Sequence, residues 1–238
     1  MFSRLACALA GVLAAIVINR LSHRTGVSDA EAFGSLPGDE VIPHPMVEWT
    51  RGVTVSATPG AIWPWLVQRG YGRAGWDTPR WIDQVLEPGF FGIRSERSNN
   101  DRILPEFQHL AVGDIIADGP DYAAYFRVLE IEPDRSIVYY SFRHPRRGHP
   151  VDPTDPDALA NLERRLRERG TYLDFTWTFV LVPIDDRCTR LLVRTRANYA
   201  PRSLALALPI LGLFDATYGT AMLRTIARKA EELAANPG

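Results

Sequence analysis

Tyr172-Leu173-Asp174-Phe175-Thr176-Trp177-Thr178-Phe179-Val180-Leu181-Val182 is the stretch that decides the fold. Leu173, Phe175, Trp177, Phe179 and Leu181 fall on one side of an extended chain, and Asp174, Thr176 and Thr178 on the other. A period of two in aromatic and β-branched residues predicts a strand with one face in a core. Asp185-Asp186-Arg187 supplies a turn, and Leu191 to Ala197 is the expected hairpin partner. Upstream, Val112 to Ala117, Ala123 to Ile131 and Ile137 to Phe142 read as strands, parted by Asp118-Gly119-Pro120 and Glu132-Pro133-Asp134-Arg135. Val47 to Ser56 alternates too, with Val47, Trp49, Val53 and Val55 on its apolar side. Thr58-Pro59 then reads as the cap and first residue of a helix running to Gln68, kinked at Pro64 and ended at Gly70. A short helix is expected from Thr78 to Gln84 and a loop from Glu87 to Asn100. Another helix opens at Asp155-Pro156-Asp157 and stops at Gly170, with a narrow stripe of Leu159, Leu162 and Leu166. Leu211 to Ala235 reads as a long amphipathic helix presenting Leu211, Phe214, Tyr218, Met222 and Ile226. The pattern is α+β, with helices gathered on one face of an antiparallel sheet.

Composition narrows the function classes. A net charge of −1 over 238 residues lacks the basic excess of a nucleic-acid-binding domain. Two cysteines, Cys7 and Cys188, make no disulfide framework, and the five histidines lack metal-ligand spacing. Neither a metal nor a cofactor is expected. Gly70, Gly72 and Gly75 follow a helix rather than a strand, so they are no dinucleotide fingerprint.

Leu5 to Ile18 is an uncharged apolar run between Arg4 and Arg20. As a helix it would reach about 21 Å, short of the ~30 Å of bilayer hydrocarbon unless the flanking arginines snorkel. A membrane anchor, a cleaved signal peptide and a soluble apolar helix all remain open, and the anchor is the expectation carried forward. Its orientation is undecided, because positive charge is similar on both flanks. The expected organisation is therefore an N-terminal membrane anchor (1–24), a Gly/Pro-rich linker (25–46) and one domain (47–238) with a charged helical insertion (143–170). A single-pass membrane location follows.

Val53-Thr54-Val55-Ser56-Ala57-Thr58-Pro59 and Ile62-Trp63-Pro64-Trp65-Leu66-Val67-Gln68 resemble the opening strand and helix of the START-like, or polyketide cyclase/dehydratase-like (SRPBCC), superfamily. Further similarity, to a membrane-anchored, actinobacterial-type group within it, lies in four more stretches. These are Leu36-Pro37-Gly38-Asp39-Glu40, Gly70-Tyr71-Gly72-Arg73-Ala74-Gly75-Trp76, Arg102-Ile103-Leu104-Pro105-Glu106-Phe107-Gln108 with Val112-Gly113-Asp114, and Thr176-Trp177-Thr178-Phe179-Val180-Leu181. The resemblance implies a helix-grip fold, a curved antiparallel sheet around the C-terminal helix with a cavity between them. Such proteins bind lipids, sterols, polyketides and other apolar molecules; a minority catalyse cyclisation or dehydration. Two features depart from the pattern: the charged insertion is long, and no established catalytic set is present.

Four of the six tryptophans lie between Trp63 and Trp81, which concentrates aromatic surface around the first helices. Core packing is the first explanation, and a cavity wall or mouth contacting an apolar ligand is the functional alternative. Trp65, Trp76 and Trp81, together with Phe175, Trp177 and Tyr218, are the candidate ligand contacts. Arg51 is the odd residue on an apolar strand face; it either pairs with an acid or orients a ligand carboxylate or carbonyl. His109 lacks a visible orienting partner. Tyr125, Tyr139, Tyr140 and Asp174 would serve acid/base chemistry in a cyclase, though strand placement explains them as well. Glu163 to Arg169 reads as a solvated helix face. The reading is a membrane-tethered binding module for a small apolar ligand, with no catalytic residue assigned. The alternatives are a polyketide cyclase/dehydratase-like enzyme and an interaction protein whose cavity is filled by its own side chains.

Overall fold

The computed structural model describes residues 24–77 and 101–235. The expected apolar helix from Leu5 to Ile18, the short helix carrying Trp81 and the loop from Glu87 to Asn100 lie outside the described residues. Seven strands form one sheet: β1 (Arg24–Thr25), β2 (Val47–Val55), β3 (Ile115–Ala117), β4 (Tyr125–Glu132), β5 (Ser136–Arg143), β6 (Tyr172–Pro183) and β7 (Thr189–Ala200). Their order is β1-β2-β7-β6-β5-β4-β3, and only the β1–β2 pair is parallel. Among the described residues four α-helices join them: α1 (Asp29–Phe33), α2 (Pro59–Val67), α3 (Pro156–Glu168) and α4 (Leu208–Ala235). The architecture is α+β, a mostly antiparallel sheet with a long C-terminal helix, consistent with the helix-grip arrangement.

The alternation of β6 builds this arrangement. Trp177, Phe179 and Leu181, with Tyr139 of β5, join Leu191 and Val193 of β7 and Met222, Leu223 and Ile226 of α4 in the main core. This is the concave face, and α2 closes it through Ile62, Trp65 and Leu66. Helix α4 begins three residues before the expected Leu211, because Pro209 sits in its first turn, where a missing N–H costs nothing. A short 3-10 segment, Arg202–Ala207, leads into it. Thr58 has the extended backbone of a cap, yet its hydroxyl makes no capping bond.

The convex face carries two covers. Helix α3 buries Leu159, Leu162 and Leu166 against Tyr125 and Phe142, so its three-leucine stripe is a sealed second core. The segment 25–46, expected as a linker, lies against the same side of the sheet. Ser28 and Glu31 form a reciprocal capping box on α1. Gly38 (φ 81°) passes so close that a Cβ there would stand 2.5 Å from Val138. A β-carbon cannot be accommodated at that contact, and the left-handed backbone also favours glycine.

Candidate functional site

The concave face places its aromatic side chains around one buried guanidinium. Arg69 follows α2 directly and is 1% exposed. Its carbon Cζ lies 4.5 Å from the Phe179 ring centroid, 4.8 Å from Trp177 and 5.4 Å from Trp76. The rings also pack on one another. Trp177 is 4.9 Å from Phe179, 5.4 Å from Phe126 and 5.6 Å from Trp76. Tyr139 stands edge-on to both Phe126 and Phe179, at 5.9 and 6.2 Å.

Two cations and two carboxylates meet at this point among the described residues. Asp77 lies 3.3 Å from Arg69 Nε and 2.9 Å from Lys229 Nζ, so two buried cations share one buried carboxylate. Asp101, which is exposed, is a further 3.5 Å contact of Lys229. Arg69 Nη2 donates to the Trp76 carbonyl at 3.3 Å, but Nη1 has no hydrogen-bond partner among the described residues. The Tyr139 hydroxyl and the indole N–H groups of Trp76 and Trp65 are likewise buried without a partner among the described residues. Burial pushes the Tyr139 phenol up to about 12, opposed by the nearby Arg69 and Arg73. It therefore stays protonated at neutral pH and serves as a donor, not a base.

The row of aromatics ends at Arg143, which is paired in register with Leu173. Its guanidinium lies 4.8 Å from the Phe126 centroid and 5.1 Å from Phe175. Arg143 binds Asp118 Oδ2, Ser141 Oγ (2.7 Å) and the Tyr125 carbonyl (3.1 Å). Desolvation holds the Asp118 carboxyl above its usual range, against the pull of Arg143. Beside this pair is a cavity of about 150 Å³, lined among others by Asp118, Arg143, His144, Gly148 and Leu173. Ligand sites of this kind more often enclose ~300–1,000 Å³.

The structure brings most of the sequence-predicted residues together. Trp76, Phe175 and Trp177 lie in the concave cluster, and Tyr218 packs on its edge, stacked on Phe214 at 5.8 Å. Trp65 is buried one layer behind, with Lys229 Nζ 5.4 Å from its ring centroid. Trp81 lies outside the described residues. Arg51 stands apart: it is buried and donates to Asp215 Oδ2 at 2.7 Å and to the Thr50 carbonyl at 3.2 Å. This is the acid-pairing reading of that residue. Burial nonetheless pushes the Asp215 carboxyl up to about 6, Arg51 opposing.

Sequence reasoning passed over Arg69, Asp77 and Lys229. One signal was available: Lys229 falls at i+7 from Met222 and i+3 from Ile226, on the apolar stripe of α4. A lysine there needs a buried anion or a ligand. His144 and His149 do approach, with ring centroids 5.5 Å apart. Among the described residues no group of three or more His, Cys, Asp or Glu side chains is gathered for a metal.

No family model matches the sequence, and no curated protein matches it. Solved structures with similar folds include a conserved protein from Geobacillus kaustophilus (14% identity, 79% of this chain and 97% of that one, TM-score 0.42). Others are the Zhui aromatase/cyclase from Streptomyces sp. R1128 (15%, 80% and 97%, TM-score 0.40) and norcoclaurine synthase from Thalictrum flavum in complex with dopamine and hydroxybenzaldehyde (13%, 78% and 86%, TM-score 0.40). Identities and TM-scores this low carry neither a ligand nor a reaction to this chain.

Proposed function

We propose that the protein is a binding module for a small, largely apolar or aromatic molecule that carries acceptor oxygens, taken up on the concave face. One observation carries this reading: Arg69, Trp76 and Tyr139, each with a buried donor that has no partner among the described residues, belong to a single aromatic cluster. A buried donor without an acceptor costs about 1–3 kcal/mol. A ligand carboxylate, carbonyl or phenolic oxygen would satisfy several at once, while Trp177, Phe126 and Phe175 cover its apolar body. Trp65, Trp76, Trp177, Phe175 and Tyr218 are the proposed lining, with Arg51, paired to Asp215, a further candidate, and Trp81 kept as a candidate from the sequence. A protonated Tyr139 fits recognition better than the base that a cyclase would need.

The close ring contacts of Trp177 favour a second reading, an interaction protein whose cavity its own side chains fill. Titration with 2-naphthoate, an aromatic body bearing a carboxylate, separates the two. Binding predicts a saturable change in tryptophan fluorescence, weakened at least tenfold in Arg69→Gln, and a small molecule carried through purification in native mass spectrometry. No saturable change up to millimolar naphthoate, with no co-purifying molecule, rejects the binding reading. Membrane tethering by Leu5 to Ile18 is a further part of the proposal, supported by the apolar run and its flanking arginines. Recovery of the uncleaved full chain in the soluble fraction would reject it.

A further inference from the structure

The start of α4 is apolar where nothing among the described residues covers it. Ile210 and Leu213, 70% and 53% exposed, lie at i, i+3 on one ridge of α4, and Leu206, 86% exposed, stands in the 3-10 segment just before it. Arg202, also exposed, precedes the ridge. Length and composition alone would let Arg202–Ala235 cross a membrane. Its second half is committed elsewhere, since Met222, Leu223, Ile226 and Ala230 fill the main core.

Two observations fix where the ridge lies. Leu204 and Leu208, just before it, pack on Val47, Trp49, Ala197 and Tyr199, so the ridge rises from the Val47 end of the sheet. Met46, 44% exposed, flanks that end. Strand β1 is parallel to β2, with Arg24 opposite Thr50 and Thr25 opposite Arg51. Arg24, the first described residue, is therefore the member of β1 nearer that same Val47 end. The 23 residues before Arg24 contain the uncharged run Leu5 to Ile18.

We propose that this end of the molecule is a lipid-docking surface, with Leu206, Ile210 and Leu213 seated in the interfacial layer of a bilayer beside the entry of the N-terminal segment. Lipid is the occupant that the chemistry selects. Leu5 to Ile18 is apolar on every side, so laying it over the ridge in water would hide one stripe and leave its others exposed. A second copy is a poorer fit, because a stable dimer engages ~20–30 residues a side. Bilayer hydrocarbon accepts the run and the ridge together, and Arg202 reaches the headgroups. This inference rests in part on the proposed tether, and the experiment separates them.

The full chain carrying Cys7→Ala, Cys188→Ala and Ile210→Cys is labelled at position 210 with an environment-sensitive nitrobenzoxadiazole dye. It is floated with vesicles of phosphatidylcholine and phosphatidylglycerol. The expected result is flotation, a blue-shifted emission and quenching by doxyl-labelled lipid. Flotation with an unmoved, unquenched dye overturns the docking surface and leaves the tether intact. Loss of flotation overturns both. In a separate Cys188→Ala, Ile210→Cys chain, efficient disulfide formation with Cys7 in the absence of lipid would instead make the N-terminal segment the occupant and overturn the proposal.

Discussion

The two faces of the sheet treat buried arginine in opposite ways. On the convex face, Arg194 spends all five of its N–H donors: on Thr50 Oγ1, on the carbonyls of Glu31, Ala32 and Gly34, and on Asp39 Oδ2, at 2.7–3.1 Å. Arg196 binds Glu48 and the carbonyls of Ile42 and Pro43, and Arg190 binds Glu31 and the Gly26 carbonyl. These three side chains fasten residues 24–46 to β7. On the concave face, Arg69 leaves donors unused inside an aromatic cluster. Donors in the first place are consumed by the fold, and among the described residues donors in the second are left over. A stability measurement and a binding measurement should therefore respond to opposite faces.

Arg194→Ala should have the largest effect. It removes five hydrogen bonds, takes the donor from three carbonyls in a part-buried setting and leaves Asp39, among the described residues, only Arg196 at 3.4 Å as a cation, and should cost ~3 kcal/mol. Urea unfolding at neutral pH reads this directly, and limited proteolysis should become faster within residues 24–46. A loss below ~1 kcal/mol would mean the convex network is no clamp, and the contrast between the faces would fail.

Leu162→Ala comes next. Leu162 is 4% exposed in the core sealed by α3, so truncation should cost ~3 kcal/mol with the neutral-pH binding of naphthoate unchanged. A deletion that removed α3 and left cooperative unfolding intact would return that helix to the surface role its charged sequence suggested.

The frame of this fold was legible because side-chain polarity there follows period. Leu173 to Thr178 alternates apolar and polar, and observed β6 spans Tyr172–Pro183, although both its faces are covered from Thr176 to Leu181. The 25–46 segment was harder to read, because what holds it is long-range. Its Gly, Pro and acidic composition looks like a linker until Arg190, Arg194 and Arg196, some 150 residues away in sequence, supply the partners. The candidate site was half legible for the same reason. Phe175 and Trp177 announce themselves by alternation. Arg69 does not, since only the tertiary fold lays it over rings from β6 and over Trp76. Arg51 shows the reverse, an odd charge visible in sequence whose partner, Asp215, is a fold-level pair.

Alkaline unfolding sharpens the comparison at intermediate size. Tyr139 is pushed up to about 12 in the folded protein, against 10.0 for the free phenol. Below pH 10 both states keep the proton and no stability is lost. From pH 10 to about 12 the unfolded chain ionises first, so stability falls with rising pH, by roughly 2–3 kcal/mol in total. Tyr125 is raised as well, so the informative quantity is the difference from Tyr139→Phe, which should lack this part of the loss. Parallel alkaline profiles would show that Tyr139 is not buried as a neutral donor.

The smallest stability change should come from Tyr139→Phe at neutral pH, and it tests the concave face most directly. The substitution keeps the ring between Phe126 and Phe179 and deletes only an oxygen that has no partner among the described residues. Removing an unsatisfied buried hydroxyl relieves its desolvation cost, so unfolding free energy should stay level or rise by up to ~1 kcal/mol. A hydrogen bond to a bound anion is worth ~1.5 kcal/mol or more, so naphthoate affinity should fall about tenfold in the same variant. Stability and binding would then move in opposite directions at one atom. If Tyr139→Phe instead lost 1–2 kcal/mol with unchanged affinity, the hydroxyl would have an internal partner after all. The concave donors would then belong to the fold, as the convex ones do.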